Sequence, residues 1–239
     1  MDRSYLTCPG WILAAAVAVA LPDVARAAMQ TVCTVTVNSP DEKEALRRHL
    51  PESKYRFVEL VERARPDWLA SSCLAATRCD VLVVSGHFDG DNEFFADAVD
   101  VDEFATVSEL ERASCSASCP SLFSNLKEVY LFGCNTLNPH AQSSASAETM
   151  HDSVRLRRSP AAADALPASL GDAGDGQSSR DRMRQLFAGV PVIYGFSSSA
   201  PLGPVAGQTL ERHLRIHKPT VGTGRVDAGL LRAFSAFSM

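Results

Sequence analysis

The stretch "CDVLVVSGHFDGDNEFF" (residues 79–95) decides how the chain folds. Val81, Leu82, Val83 and Val84 form an apolar run with no polar alternation. Such a run marks a strand buried on both faces, which implies a parallel sheet covered by helices. The run stops at Ser85-Gly86-His87-Phe88, followed by Asp89, Gly90 and Asp91. A second stretch, "EVYLFGC" (128–134), is built the same way: an apolar strand, a glycine, then the reactive side chain of Cys134.

Outward from these two stretches the sequence alternates strand-like and helix-like segments. Strands are expected at 31–37, 55–61, 80–85, 128–134 and 191–196. Ser39-Pro40-Asp41-Glu42 opens a helix carrying Ala45, Leu46 and Leu50, with Glu42 completing a capping box. Further helices are expected at 66–76, from a Thr106/Glu109 capping box to about 117, and at 179–187 with Met183, Leu186 and Phe187 inward. A last one starts at Pro204, with Val205, Thr209, Leu210, His213 and Leu214 on one side. This alternation predicts an α/β sandwich with a mostly parallel sheet, in which ligands gather at the carboxyl ends of the strands.

With 239 residues, 46% of them hydrophobic, the chain is long enough for one well-buried domain. Its formal charge is −5, and no dense Lys/Arg stripe exists to neutralise phosphates, which excludes nucleic acid as a partner. Trp11–Leu21 is an apolar core of signal-peptide length, and Ala25-Arg26-Ala27 supplies the small residues of a cleavage site. Residues 1–27 are therefore expected to be removed on export, the alternative being an uncleaved N-terminal anchor. The mature chain then carries no membrane-inserted segment and resides in the periplasm or outside the cell. Residues 28–217 form the expected domain, 138–178 a long polar loop within it, and 218–239 a C-terminal tail.

Six cysteines follow residue 27. In an oxidising compartment some should pair, and Cys73 with Cys79 and Cys115 with Cys119 are the close-spaced candidates. Cys33, inside the first strand, is the candidate for a free cysteine besides Cys134. Neither spacing is that of a common zinc site. Asp89-Gly90-Asp91-Asn92-Glu93 has the opening of a calcium loop, but Phe94 stands where that loop needs glycine. The segment reads instead as an acidic loop beside the site, and no metal or cofactor is expected.

His87 and Cys134 follow strands of the same kind, and adjacent strand ends in a parallel sheet bring an imidazole and a thiol to one gap. An imidazole can deprotonate a thiol into a nucleophile for acyl transfer. Backbone N–H groups around Gly86, Gly133 and Cys134 would serve the oxyanion. At "VLVVSGHFDG" and "VYLFGCNT" the chain resembles the caspase-like cysteine peptidases, which include caspases, gingipains, clostripain and bacterial CHAT domains. "FGCNT" is most similar to the CHAT form. The resemblance spans about residues 31–217, with the histidine roughly fifty residues upstream of the cysteine as in caspases. It implies a three-layer sandwich with strand order 2-1-3-4-5, His87 as base or acid, and Cys134 as nucleophile. Phe88 stands where the family usually has glycine, and Gly133 where it often has alanine.

Ser197, Ser198 and Ser199 follow the fifth strand, where the family builds part of its specificity pocket. As residues alone they read as a polar turn. Asp89, Asp91 and Glu93 on the His87 side would favour a cationic substrate residue. Arg155, Arg157 and Arg158, in the loop after Cys134, are then candidate self-processing sites. The expected activity is an endopeptidase acting on peptide or protein substrates. The alternative is a non-catalytic secreted module that binds a peptide or envelope component in the same groove.

Overall fold

The structure is a computed structural model that describes residues 29–37, 39–60, 72–90, 92–96, 104–115, 121–140 and 177–239. Its strands are β1 (Gln30–Thr36), β2 (Tyr55–Glu59), β3 (Val81–Ser85), β4 (His87–Phe88), β5 (Glu93–Phe95), β6 (Phe104–Thr106), β7 (Glu128–Phe132) and β8 (Val192–Tyr194). Its helices are α1 (Asp41–His49), α2 (Val107–Cys115), α3 (Ser179–Leu186), α4 (Gly203–Ile216) and α5 (Ala228–Ala233), with a closing 3₁₀ turn at Ser235–Phe237.

Five strands form the central sheet, in the order β2-β1-β3-β7-β8, and all four pairings are parallel. The two apolar runs are its middle: every residue of β3 and of β7 is buried. Alternate side chains serve opposite faces. Cys33, Val35, Leu82, Val84, Val129 and Leu131 meet Val107 and Leu110 of α2 and Met183 and Leu186 of α3. Val32, Val81, Val83, Tyr130, Phe132 and Tyr194 meet Ala45 and Leu46 of α1, Leu210 and Leu214 of α4, and Leu230 of α5. Helices thus cover both faces, and each enclosed aliphatic side chain contributes about 1.5–3 kcal/mol of transfer free energy.

α1 and α4 lie against each other on one face. Their closeness depends on Gly207, where a Cβ would stand 2.8 Å from Asp41 Cβ. The inward face of α4 is Ala206, Gly207, Leu210, His213 and Leu214. Val205, expected on that face, is 47% exposed. The Thr106/Glu109 capping box is present: Glu109 N–H donates to Thr106 Oγ1 at 3.2 Å, and Glu109 Oε2 accepts from Thr106 N–H at 3.3 Å. The first capping box is not. Pro40 takes the cap position of α1 with no side-chain cap, the Ser39 hydroxyl bonds the Asp41 carboxylate, and Glu42 is turned into the protein.

A second sheet lies directly beyond β3. β4, β5 and β6 pair antiparallel, so the acidic loop expected after His87 starts and ends in strands of this sheet. Phe88 and Phe94 anchor it, with ring centroids 4.7 Å apart and both rings in the core. The segment expected as a tail also belongs to the domain. Leu230 and Phe234 are buried, Tyr55 donates to Val221 O at 2.9 Å, and Gly224 N–H donates to Glu128 at 2.9 Å.

The cysteines pair differently from expectation. Cys79 is bonded to Cys33, both fully buried, with Cα atoms 5.6 Å apart. That bond rules out the Cys73–Cys79 bridge and removes Cys33 as a free thiol. Strand pairing is the cause, because it brings the middle of β1 beside the entry to β3. Cys73 is itself disulfide-bonded. Cys119, the side chain of Cys115, residues 1–27, most of the helix expected at 66–76 and nearly all of 138–178, with Arg155, Arg157 and Arg158, lie outside the described residues. No described helix is long and apolar enough to cross a membrane.

Candidate functional site

The carboxyl ends of β3 and β7 are in register, Ser85 opposite Phe132, and Gly86 N–H continues the ladder by donating to Phe132 O at 3.1 Å. Gly86 and Gly133 therefore lie side by side, with His87 and Cys134 each one residue further on. Side-chain alternation along both strands puts Val81 and Val83, and Tyr130 and Phe132, on the α1/α4 side of the sheet, and the series in β3 continues to Ser85.

Cys134 is a free, half-buried thiol. The chain turns sharply after it, because Asn135 adopts a left-handed φ of 58°, a conformation Asn tolerates better than most residues. The turn is stitched to the segment beyond β8. Asn135 N–H donates to Ser198 O at 2.7 Å and Leu137 N–H to Phe196 O at 2.9 Å. The buried Thr136 hydroxyl accepts from Phe196 N–H at 3.0 Å and donates to Gly133 O at 3.2 Å. Ala200 N–H donates to Cys134 Sγ at 3.3 Å, the one hydrogen bond to that sulfur among the described residues. Gly195 lets the two segments close, since a Cβ there would stand 2.7 Å from Thr136 Oγ1.

These bonds change the expected oxyanion donors. Gly86 N–H is spent on Phe132 and is not available, whereas Cys134 N–H donates to no acceptor among the described residues. His87 belongs to β4, opposite Phe95, with ring centroids 5.6 Å apart and planes inclined by 31°. The imidazole is half-buried.

Asp89 and Glu93, which follow, are buried. Asp89 is 6% exposed, and its Oδ1 accepts N–H bonds from Asn92 at 2.7 Å and Glu93 at 3.1 Å, which holds the β4–β5 turn. Glu93 is 4% exposed. Neither presents an open carboxylate to a substrate, and Asp91 lies outside the described residues. Ser197 gives both its N–H and its hydroxyl to Ser238 O, at 3.1 and 3.2 Å, so its side chain holds the segment at Ser238. Ser198 remains beside Cys134 through its carbonyl.

The sequence reading missed Thr136, Ala200 and the pair Ser85–Glu42. Glu42 is 3% exposed, with the Ser85 side chain as a hydrogen-bonding neighbour and its Oε2 without a partner. Burial pushes its carboxyl up to about 7; its own backbone and Ser85 pull back, and the Asp41 charge adds to the rise. The one available signal, Ser39 followed three residues later by Glu42, is shared with a capping box and points outward. Among the described residues no cluster of His, Cys, Asp or Glu is arranged to hold a metal. Compared with family models, curated proteins and solved structures, the chain matches none.

Proposed function

We propose that the chain is an exported caspase-like cysteine endopeptidase with Cys134 as nucleophile and His87 as its base. His87 takes the thiol proton as Cys134 Sγ attacks the peptide carbonyl. Cys134 N–H donates to the resulting oxyanion, and the imidazolium returns the proton to the departing amine. Water, deprotonated by His87, then hydrolyses the thioester and frees the thiol. One observation carries this reading. Cys134 is a free thiol just past the carboxyl end of β7, beside the end of β3 that leads into His87, while Cys33, Cys73 and Cys79 are all disulfide-bonded. The disulfides accord with an oxidising compartment and hence with export.

The second reading, a non-catalytic secreted module using the same groove, is favoured by one contact: the hydrogen bond to Cys134 Sγ comes from Ala200 N–H and not from the imidazole. Incubation of the mature protein with a peptidyl acyloxymethyl ketone, followed by mass mapping, separates the two. Covalent capture at Cys134 that requires His87 is expected of the peptidase. Labelling that is absent, or equal in His87→Ala, supports the binding module.

A further inference from the structure

At the far end of the sheet from Cys134, one β3 length away (about 17 Å for five residues), the strand entries surround an open cavity of about 510 Å³. Thr31, Arg56, Arg78, Asp80, Asn125 and Lys127 contribute to its lining. They come from four separate parts of the chain and are brought together only by the parallel register.

Among the described residues the charges that line this cavity do not balance. Asp80 is consumed internally: its Oδ2 accepts Thr31 N–H at 2.8 Å and its Oδ1 accepts Lys127 Nζ at 3.0 Å. Arg56 has no carboxylate partner among the described residues, and its Nη2 donates to the hydroxyl of Thr31, a residue 5% exposed. Arg78 makes no hydrogen bond or ion pair among the described residues, although it sits directly before the buried Cys79. A chain with a formal charge of −5 thus sets two arginines that have no carboxylate partner among the described residues beside the Lys127–Asp80 ion pair at one opening.

Arg78 is also held in place. Cys73 and Cys79, on either side of it, are both disulfide-bonded. The turn between them closes with Ala76 in a left-handed φ of 50° and Thr77 N–H donating to Ser72 O at 3.1 Å, the pattern that ends a helix. The backbone that carries Arg78 is therefore set before any ligand arrives, and its exposed side chain is left without a competing partner among the described residues. Its planar fork matches two oxygens of a carboxylate or phosphate, and a second fork at Arg56 and the Lys127 ammonium add attraction. The cavity volume is in the range that small organic ligands fill.

We propose that this cavity binds a small anionic molecule through a carboxylate or phosphate group gripped by Arg56 and Arg78, with Lys127 beside them. The site is independent of the peptidase reading and stands whether or not Cys134 is catalytic. The test is thermal unfolding and titration calorimetry of the mature protein with pyrophosphate and, separately, citrate, against sodium chloride of equal ionic strength. The expected result is a rise in the unfolding midpoint by several degrees with one of the two anions and not with chloride, and the responding anion identifies the group recognised. Arg56→Gln/Arg78→Gln should bind that anion about tenfold or more weakly. Both arginines are exposed, so this variant should unfold at the wild-type urea concentration and label at Cys134 as before. No shift with either anion, a shift equal to that of chloride, or one kept in full by the double variant would overturn the site.

Discussion

Gly133 meets Gly86 backbone to backbone: a Cβ on Gly133 would stand 2.9 Å from the Gly86 carbonyl oxygen and 3.0 Å from Phe88 Cβ. Two strand ends are thereby held at a spacing that only glycine allows, and His87 and Cys134 each take their position from this contact. Gly133→Ala must push β4 away from β7. An overpacked core of this kind costs about 1–3 kcal/mol, to be read as a lower urea midpoint. The peptidyl electrophile should react more slowly at Cys134 in the folded variant. Unchanged stability and labelling would mean that the contact does not set the site's geometry.

The Cys33–Cys79 bond closes a loop with a sequence separation of 46 residues. On chain-entropy grounds, losing such a constraint costs about 4 kcal/mol. Urea unfolding of Cys33→Ala/Cys79→Ala should show most of that loss, and reductant should destabilise the wild type in the same direction. A free-thiol count on the oxidised wild type should find Cys134 reactive and Cys33 and Cys79 blocked. Detection of a Cys73–Cys79 peptide by mass spectrometry would contradict the pairing.

Glu42 ties stability to pH. Its carboxyl is raised from the ordinary 4.5 to about 7 in the folded chain, chiefly by burial. Between those values the folded form keeps a proton that the unfolded form has lost, so stability is full below about 4.5 and falls as pH rises through 7. The shift corresponds to about 3 kcal/mol lost by pH 8. Glu42→Gln cannot ionise, so its urea midpoint should change less between pH 4.5 and 8 and should exceed that of wild type at pH 8. Parallel pH profiles for the two proteins would show that the carboxyl ionises in the fold without penalty.

Much of this arrangement was legible because burial on two faces leaves a plain mark in sequence. Val81–Val84 and Val129–Phe132 read as central strands since nothing polar interrupts them, and the two glycines that follow them mark the candidate site. The order of the five central strands, implied by the resemblance, is the order observed. Features decided by long-range geometry left no such mark. Strands of two or three residues, like β4 and β5, have no measurable period, so their hairpin read as an acidic loop. Cys33 pairs with Cys79 because β1 lies beside β3, which spacing along the chain does not encode. Asp89 and Glu42 carry side chains that normally face water, and only the folded surroundings turn them inward.

His87 and Cys134 should act as a unit. A cysteine at a strand end carries little packing, so Cys134→Ala should unfold at nearly the wild-type urea concentration. It loses the sulfur that Ala200 N–H bonds, a neutral contact worth about 1 kcal/mol. His87→Ala gives up the ring contact with Phe95 and should also fold. If the imidazole activates the thiol, each variant loses peptidase activity by a factor of about a thousand or more, and the double variant is no worse than either alone, since groups acting in one step are not additive. The measurement is hydrolysis of a fluorogenic peptide library by the four proteins, without reductant, so that the Cys33–Cys79 bond stays intact. Additive losses would mean that the two residues act separately. Wild-type rates in both single variants would remove the dyad.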